Sequence, residues 1–261
     1  MPQPMLLGIV ALLGLAVGSF LNVVIHRVPR DESLIHPGSH CPQCGSQIRN
    51  RHNVPVLGWL MLRGRCADCR TAISVRYPLV EAGTAALFVA VTARFGLSWI
   101  LPAYLYLAAV AIALALIDLD VMRLPNSIVL PSYLVALALL VPVTLLGEGS
   151  APLVRGLTAA ALLWICYRVL AHFGGMGGGD VKLAPLLGFY LGWLGWGSVA
   201  VGAFAAFLLG GVVGLALMAT RLAGRKSRIP FGPYMLAGAF LAVFAAAPIT
   251  DWYTSLLVPT A

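Results

Sequence analysis

Apolar runs long enough to cross a bilayer recur along nearly the whole chain, with the charged residues gathered into the short stretches between them. A water-soluble domain cannot absorb such runs, because it needs a polar shell. Of the 261 residues, 60% are hydrophobic and 10% charged, and mean hydropathy is +0.92; soluble domains carry about 25% charged residues. The expected fold class is therefore an all-α polytopic membrane protein embedded in a lipid bilayer.

Candidate spans lie near 5–25, 78–95, 98–117, 127–146 and 152–172. The stretch 183–220 is too long for one helix, and Gly192, Gly195 and Gly197 predict its division into a short helix and a longer one. A last span near 231–249 brings the expected number to eight. The first run is longer than the roughly 7–15 residues of a signal-peptide core and lacks a basic flank, so it is expected to stay as a transmembrane helix.

The charge pattern orients these spans. The segment between the first two carries Arg27, Arg30, Arg49, Arg51, Arg63, Arg65, Arg70 and Arg76. If it is cytoplasmic, alternation puts Arg123, Arg168, Lys182, Arg221, Arg225, Lys226 and Arg228 on the same side. Of the 17 Lys and Arg residues, only Arg94 and Arg155 then fall opposite, and both termini are expected outside. The net charge of +8 thus follows from loop charges of a membrane protein, with no basic face for nucleic acid. Three regions are expected: a first helix at 1–25, a cytoplasmic cysteine-rich loop at 26–77, and a membrane domain at 78–261.

Within the loop, Cys41-Pro-Gln-Cys44 and Cys66-Ala-Asp-Cys69 are separated by 21 residues. Two such knuckles can bring four thiolates to one tetrahedral Zn2+ with no position left open, so the metal would be structural. It would hold a segment too small to fold on its own core. Redox-active thiol pairs are the other reading, although the βαβ context of such a motif is missing. Cys166, inside a span, is expected to be a plain apolar residue. The run from His52 to Leu60 is apolar enough to lie along the membrane surface, with Trp59 as an interfacial anchor.

Acidic residues number only nine, and Asp118, Asp120 and Asp180 stand at span ends on the predicted cytoplasmic side. Ionisable groups at membrane depth tend to mark function. Two carboxylates that share a proton can activate water, the ionised one taking its proton and the neutral one polarising a carbonyl. That is aspartyl-protease chemistry, and no Gly-x-Ser-x-Gly or His-Glu-x-x-His motif competes with it. The plainer reading is an interfacial charge beside Arg123 or Lys182. Asp118 and Asp120 cannot both face Asp180, since two residues turn a helix by about 200°. Helix-end fields favour Asp180, at an N-terminal end, as the ionised partner. Gly174 to Gly179 allow close backbone approach before Asp180 but lack the Gly-Lys-Ser/Thr of a phosphate loop.

Gly177-Gly-Gly179-Asp180-Val-Lys182 resembles the Gly-x-Gly-Asp-x-Lys motif of type IV prepilin peptidases. Ile117-Asp118 followed by Leu124-Pro125-Asn126 resembles their first aspartate segment, whose aspartate stands six residues before Leu-Pro and so selects Asp118 over Asp120. Gly18-Ser-Phe-Leu-Asn22, His26-Arg-Val-Pro29, both cysteine pairs, Arg76-Tyr-Pro-Leu-Val-Glu81 and Pro230-Phe-Gly-Pro233 extend the resemblance in order. Asn126 departs from the aspartate found in many relatives.

The resemblance implies a bacterial inner-membrane enzyme that removes the basic leader of type IV prepilins or type II secretion pseudopilins at the cytoplasmic face. It implies Asp118 and Asp180 as catalytic, with Gly177, Gly179 and Lys182 supporting them. It also implies N-methylation of the new terminus by S-adenosylmethionine through the loop region, with His52, Asn53 and Glu81 as candidates there. A zinc-stabilised membrane interaction or transport protein is the alternative. It would tolerate loss of both aspartates, or line the membrane interior with charge.

Overall fold

A computed structural model describes residues 3–174, 176–222, 224 and 229–257. Arg225, Lys226 and Arg228, assigned above to a cytoplasmic loop, lie outside the described residues. The helices are α1 (Gln3–Arg27), α2 (Leu57–Met61), α3 (Arg76–Phe95), α4 (Leu101–Val121), α5 (Asn126–Val143), α6 (Ala151–His172), α7 (Gly178–Leu194), α8 (Trp196–Ala219) and α9 (Gly232–Leu257). Among the described residues there is no strand, only two isolated bridges in the cysteine loop. The all-helical architecture and the cysteine loop after the first helix are as expected.

Among the described residues, seven helices are long and apolar enough to cross a membrane. The remaining expected span, the short helix from the division of 183–220, is α7, whose 17 residues reach only about 26 Å, the lower end of the spanning range. Its separation from α8 falls at Gly195, whose φ of +153° few other residues adopt. α7 begins at Gly178, earlier than the apolar run predicts. Hydropathy could not find this start, because the first turn is made of glycine and an aspartate.

The chain forms two compact units, Met1–Ala113 and Leu114–Ala261. In the first, α1 lies against α3 through small residues. A Cβ added at Gly14 would stand 2.6 Å from the Ala85 Cα, and one at Gly18 2.7 Å from the Glu81 Cα. In the second, α7 is buried over most of its length and α6 approaches it just as closely: a Cβ on Gly188 would meet the Ala159 carbonyl at 2.7 Å. α8 and α9 meet the same way, with Gly238 against the Ala206 backbone at 2.7 Å. Helices in lipid gain little from burying apolar surface, so backbone approach through small residues is what lets them pack.

Candidate active site

Asp118 lies in the last turn of α4 and Asp180 in the first turn of α7. Both are almost fully buried, at 5% and 8% exposure. Each carboxylate accepts one hydrogen bond from a glycine amide. Gly177 N–H donates to Asp180 Oδ2 at 3.1 Å, and Gly232 N–H donates to Asp118 Oδ2 at 3.1 Å.

Leu124 links the two positions. It is buried in the turn between α4 and α5, and its side chain sits 3.2 Å from where a Cβ on Gly179 would be. On its other side, Leu124 Cδ2 comes within 3.3 Å of a Cβ on Gly232. Gly179 therefore serves by being small, allowing α7 to start against Leu124. Asp120 is exposed, as two residues of helical turn require.

Among the described residues neither aspartate has a cation partner; Arg49–Asp68 and His26–Glu32 are ion pairs of the first unit. Lys182 is exposed, and its Nζ donates to Asn126 Oδ1 at 2.9 Å, while its carbonyl accepts from the Tyr133 hydroxyl. Lys182 thus ties α7 to the start of α5. The plainer sequence reading, in which Arg123 or Lys182 neutralises an interfacial aspartate, finds no such pair. The helix-end argument for unequal aspartates also loses force, since Asp118 closes α4 but stands at the N-terminal end of α9.

The four cysteines of the loop converge: their sulfurs all lie within 4.8 Å of one another, with Cys41 and Cys69 Sγ 3.7 Å apart. Zn–S bonds of about 2.3 Å at a tetrahedral centre place sulfurs about 3.8 Å apart, so the donor set fits a zinc ion. The two knuckles repeat one another. Cys41 N–H donates to the Ser46 carbonyl at 2.9 Å, and Cys66 N–H to the Thr71 carbonyl at 2.8 Å. Gly45 and Arg70 occupy the same left-handed position in each, at φ +70° and +63°. The Thr71 hydroxyl, 3.3 Å from Cys69 Sγ, is the main cause that holds the Cys69 thiol down to about 6.

His52, Asn53 and Glu81 lie around a short tight turn. Glu81 is buried, and its Oε2 accepts the Val56 N–H at 2.6 Å. Val56 itself is left-handed at φ +60°, and Leu57 N–H closes the turn on the Pro55 carbonyl at 2.6 Å. A Cβ on Gly58 would stand 2.1 Å from the His52 carbonyl, which fixes α2 against that residue. His52 is half-buried and Asn53 exposed. Trp59 also fastens the loop internally: its Nε1 donates to the Ile73 carbonyl at 3.1 Å and its ring lies under Gly64.

The fold and site define a multi-span helical protein with a buried aspartate pair and a four-thiol loop. The chain belongs to the type IV leader peptidase family: residues 105–215 match that family, and residues 12–95 match the bacterial peptidase A24 N-terminal domain. It is accordingly an enzyme of the peptidase class. It is similar to the "Prepilin leader peptidase/N-methyltransferase" of Aeromonas salmonicida, at 36% identity over 96% of this chain and 94% of the relative. The proteins of the same description from Neisseria gonorrhoeae and Pseudomonas aeruginosa are 38% and 35% identical, over 94% and 93% of this chain and 92% and 91% of theirs. No solved structure matches the chain.

Proposed function

We propose that this protein cleaves the basic leader from type IV prepilins or type II secretion pseudopilins at the cytoplasmic face of the inner membrane. Asp118 and Asp180 are the catalytic pair. One observation carries this reading: two buried aspartates are each held by a glycine amide, on either side of Leu124. An ionised carboxylate takes a proton from water while its neutral neighbour polarises the scissile carbonyl. The hydroxide equivalent adds to the carbonyl carbon, and the C–N bond breaks as the leaving amine is protonated. The pair titrates as a unit. Gly177 and Gly179 shape the entry to α7, and Lys182 fixes it to α5.

The region 26–77 is the zinc-binding loop and methyltransferase region, and 78–261 is the peptidase domain. The loop serves N-methylation of the new terminus by S-adenosylmethionine, supported by the names of the relatives. His52, Asn53 and Glu81 are its candidate residues. Glu81 contributes by holding the Val56 turn.

The test compares cleavage of a prepilin in detergent or liposomes by wild type, Asp118→Asn, Asp180→Asn and Asp120→Asn, with S-adenosylmethionine-dependent labelling of precleaved pilin on the same samples. Cleavage lost only in the first two variants, with labelling retained, is the expected result. Cleavage by both of those variants would sink the aspartyl mechanism.

A further inference from the structure

The helix start that faces Asp118 leaves the Gly232 amide unused by the helix itself. Phe231 caps α9, its carbonyl accepting the N–H groups of both Tyr234 and Met235, at 3.1 and 3.2 Å. Pro233 has no N–H. Within α9 itself the first-turn amide left over is that of Gly232, and it is donated to Asp118 Oδ2. The residue must also be small. A Cβ at 232 would fall 2.7 Å from Asp118 Oδ2 and 3.3 Å from Leu124 Cδ2.

Phe231 is seated independently of the aspartate. Its ring centroid lies 5.3 Å from Phe207, 6.5 Å from Tyr167 and 6.3 Å from Tyr234. This aromatic group ties the entry of α9 to α6 and α8. Pro230 precedes it and Pro233 follows, restricting the backbone on both sides.

We propose that Phe231 and Gly232 form a positioning element for Asp118: Phe231 fixes the entry of α9, and the Gly232 amide sets where the carboxylate points. Gly177 does the corresponding work for Asp180 from the start of α7. The inference rests on the reading of Asp118 as catalytic. A reacting group displaced by about 1 Å costs on the order of 100-fold in rate. When that group acts in the transition state and not in binding, the loss falls on kcat and leaves KM alone.

Steady-state cleavage of a prepilin peptide in liposomes tests this with Gly232→Ala and Phe231→Ala. Asp118→Asn is the control for the catalytic reading. Gly211→Ala, where an added Cβ meets nothing, is the control for glycine replacement in the same unit. The expected result is kcat lowered about 100-fold in Gly232→Ala and lowered in Phe231→Ala, with KM near wild type in both. Gly211→Ala should match wild type. Wild-type kcat in Gly232→Ala while Asp118→Asn is dead would overturn the positioning role and leave the catalytic reading standing. Activity in Asp118→Asn would overturn both. Should Gly232→Ala fail to fold, Phe231→Ala decides alone, and wild-type kcat there sinks the proposal.

Discussion

Arg155 grips the far end of the helix that begins beside Asp180: its Nε donates to the Gly192 carbonyl at 2.6 Å and its Nη2 to the Trp193 carbonyl at 2.7 Å. The last carbonyls of a helix have no partner within it and carry its negative pole. A guanidinium satisfies two of them at once from α6. This gives a structural reason for a cation that the loop pattern leaves on the sparsely charged side.

Replacing Arg155 by methionine should therefore lower stability by about 2 kcal/mol, because hydrogen bonds to a charged donor are lost and part-buried carbonyls are stranded. Arg155→Lys should recover only part, since an ammonium cannot reproduce the fork. Unfolding in a mixed-detergent titration would measure both. Equal stability of Arg155→Met and wild type would show the contact to be idle.

The α6–α7 contact should resist enlargement. Gly192→Val places atoms where the Ala159 Cβ and Arg155 carbonyl already stand, at 2.7 and 2.9 Å from the first added carbon. Overpacking of this kind costs about 1–3 kcal/mol. Gly8→Ala in α1, where an added Cβ meets nothing, should be neutral in the same titration.

Glu81→Leu should loosen the segment 52–61, because it leaves the Val56 amide without its acceptor, at a cost of about 1–3 kcal/mol. Glu81→Gln keeps a carbonyl acceptor and should behave nearly as wild type. Limited proteolysis, read by mass spectrometry, distinguishes them through new cuts within this segment. Identical patterns for the two variants would show that the Glu81 contact does not hold the turn.

Metal content should be one zinc per chain, lost on acidification. Thiolates bind zinc and protonated thiols do not, and a bound ion itself keeps its thiols deprotonated far below their metal-free range, so zinc is released only where protons outcompete it in acid. Atomic absorption after dialysis at stepped pH would follow that loss. Cys66→Ser should lower zinc content already at neutral pH. Wild-type protein without zinc at neutral pH, or unchanged zinc content in Cys66→Ser, would contradict the assignment.

Much of the architecture is legible in the sequence because a bilayer demands long apolar helices, and the glycines at 192–197 announce the break that Gly195 makes. The four cysteines are legible for a similar reason: paired knuckles have few other uses. The start of α7 is not, because its first turn is fixed by Asp180 accepting the Gly177 amide, a local bond that hydropathy does not register. Gly232 stood in plain view within Pro230-Phe-Gly-Pro233, but its closeness to Asp118 spans 114 positions of sequence, which no local pattern encodes.

The repeated knuckles of the cysteine loop have a consequence for how the loop can fail. Each half supplies two sulfurs on the same turn, so an ion held there registers only whether both halves have arrived. Each half pairs one buried sulfur, Cys41 or Cys66, with one exposed sulfur, Cys44 or Cys69. Alkylation or oxidation should therefore strike Cys44 and Cys69 first, and loss of either breaks the set, making the loop behave as a fuse with its two weak points on the outside.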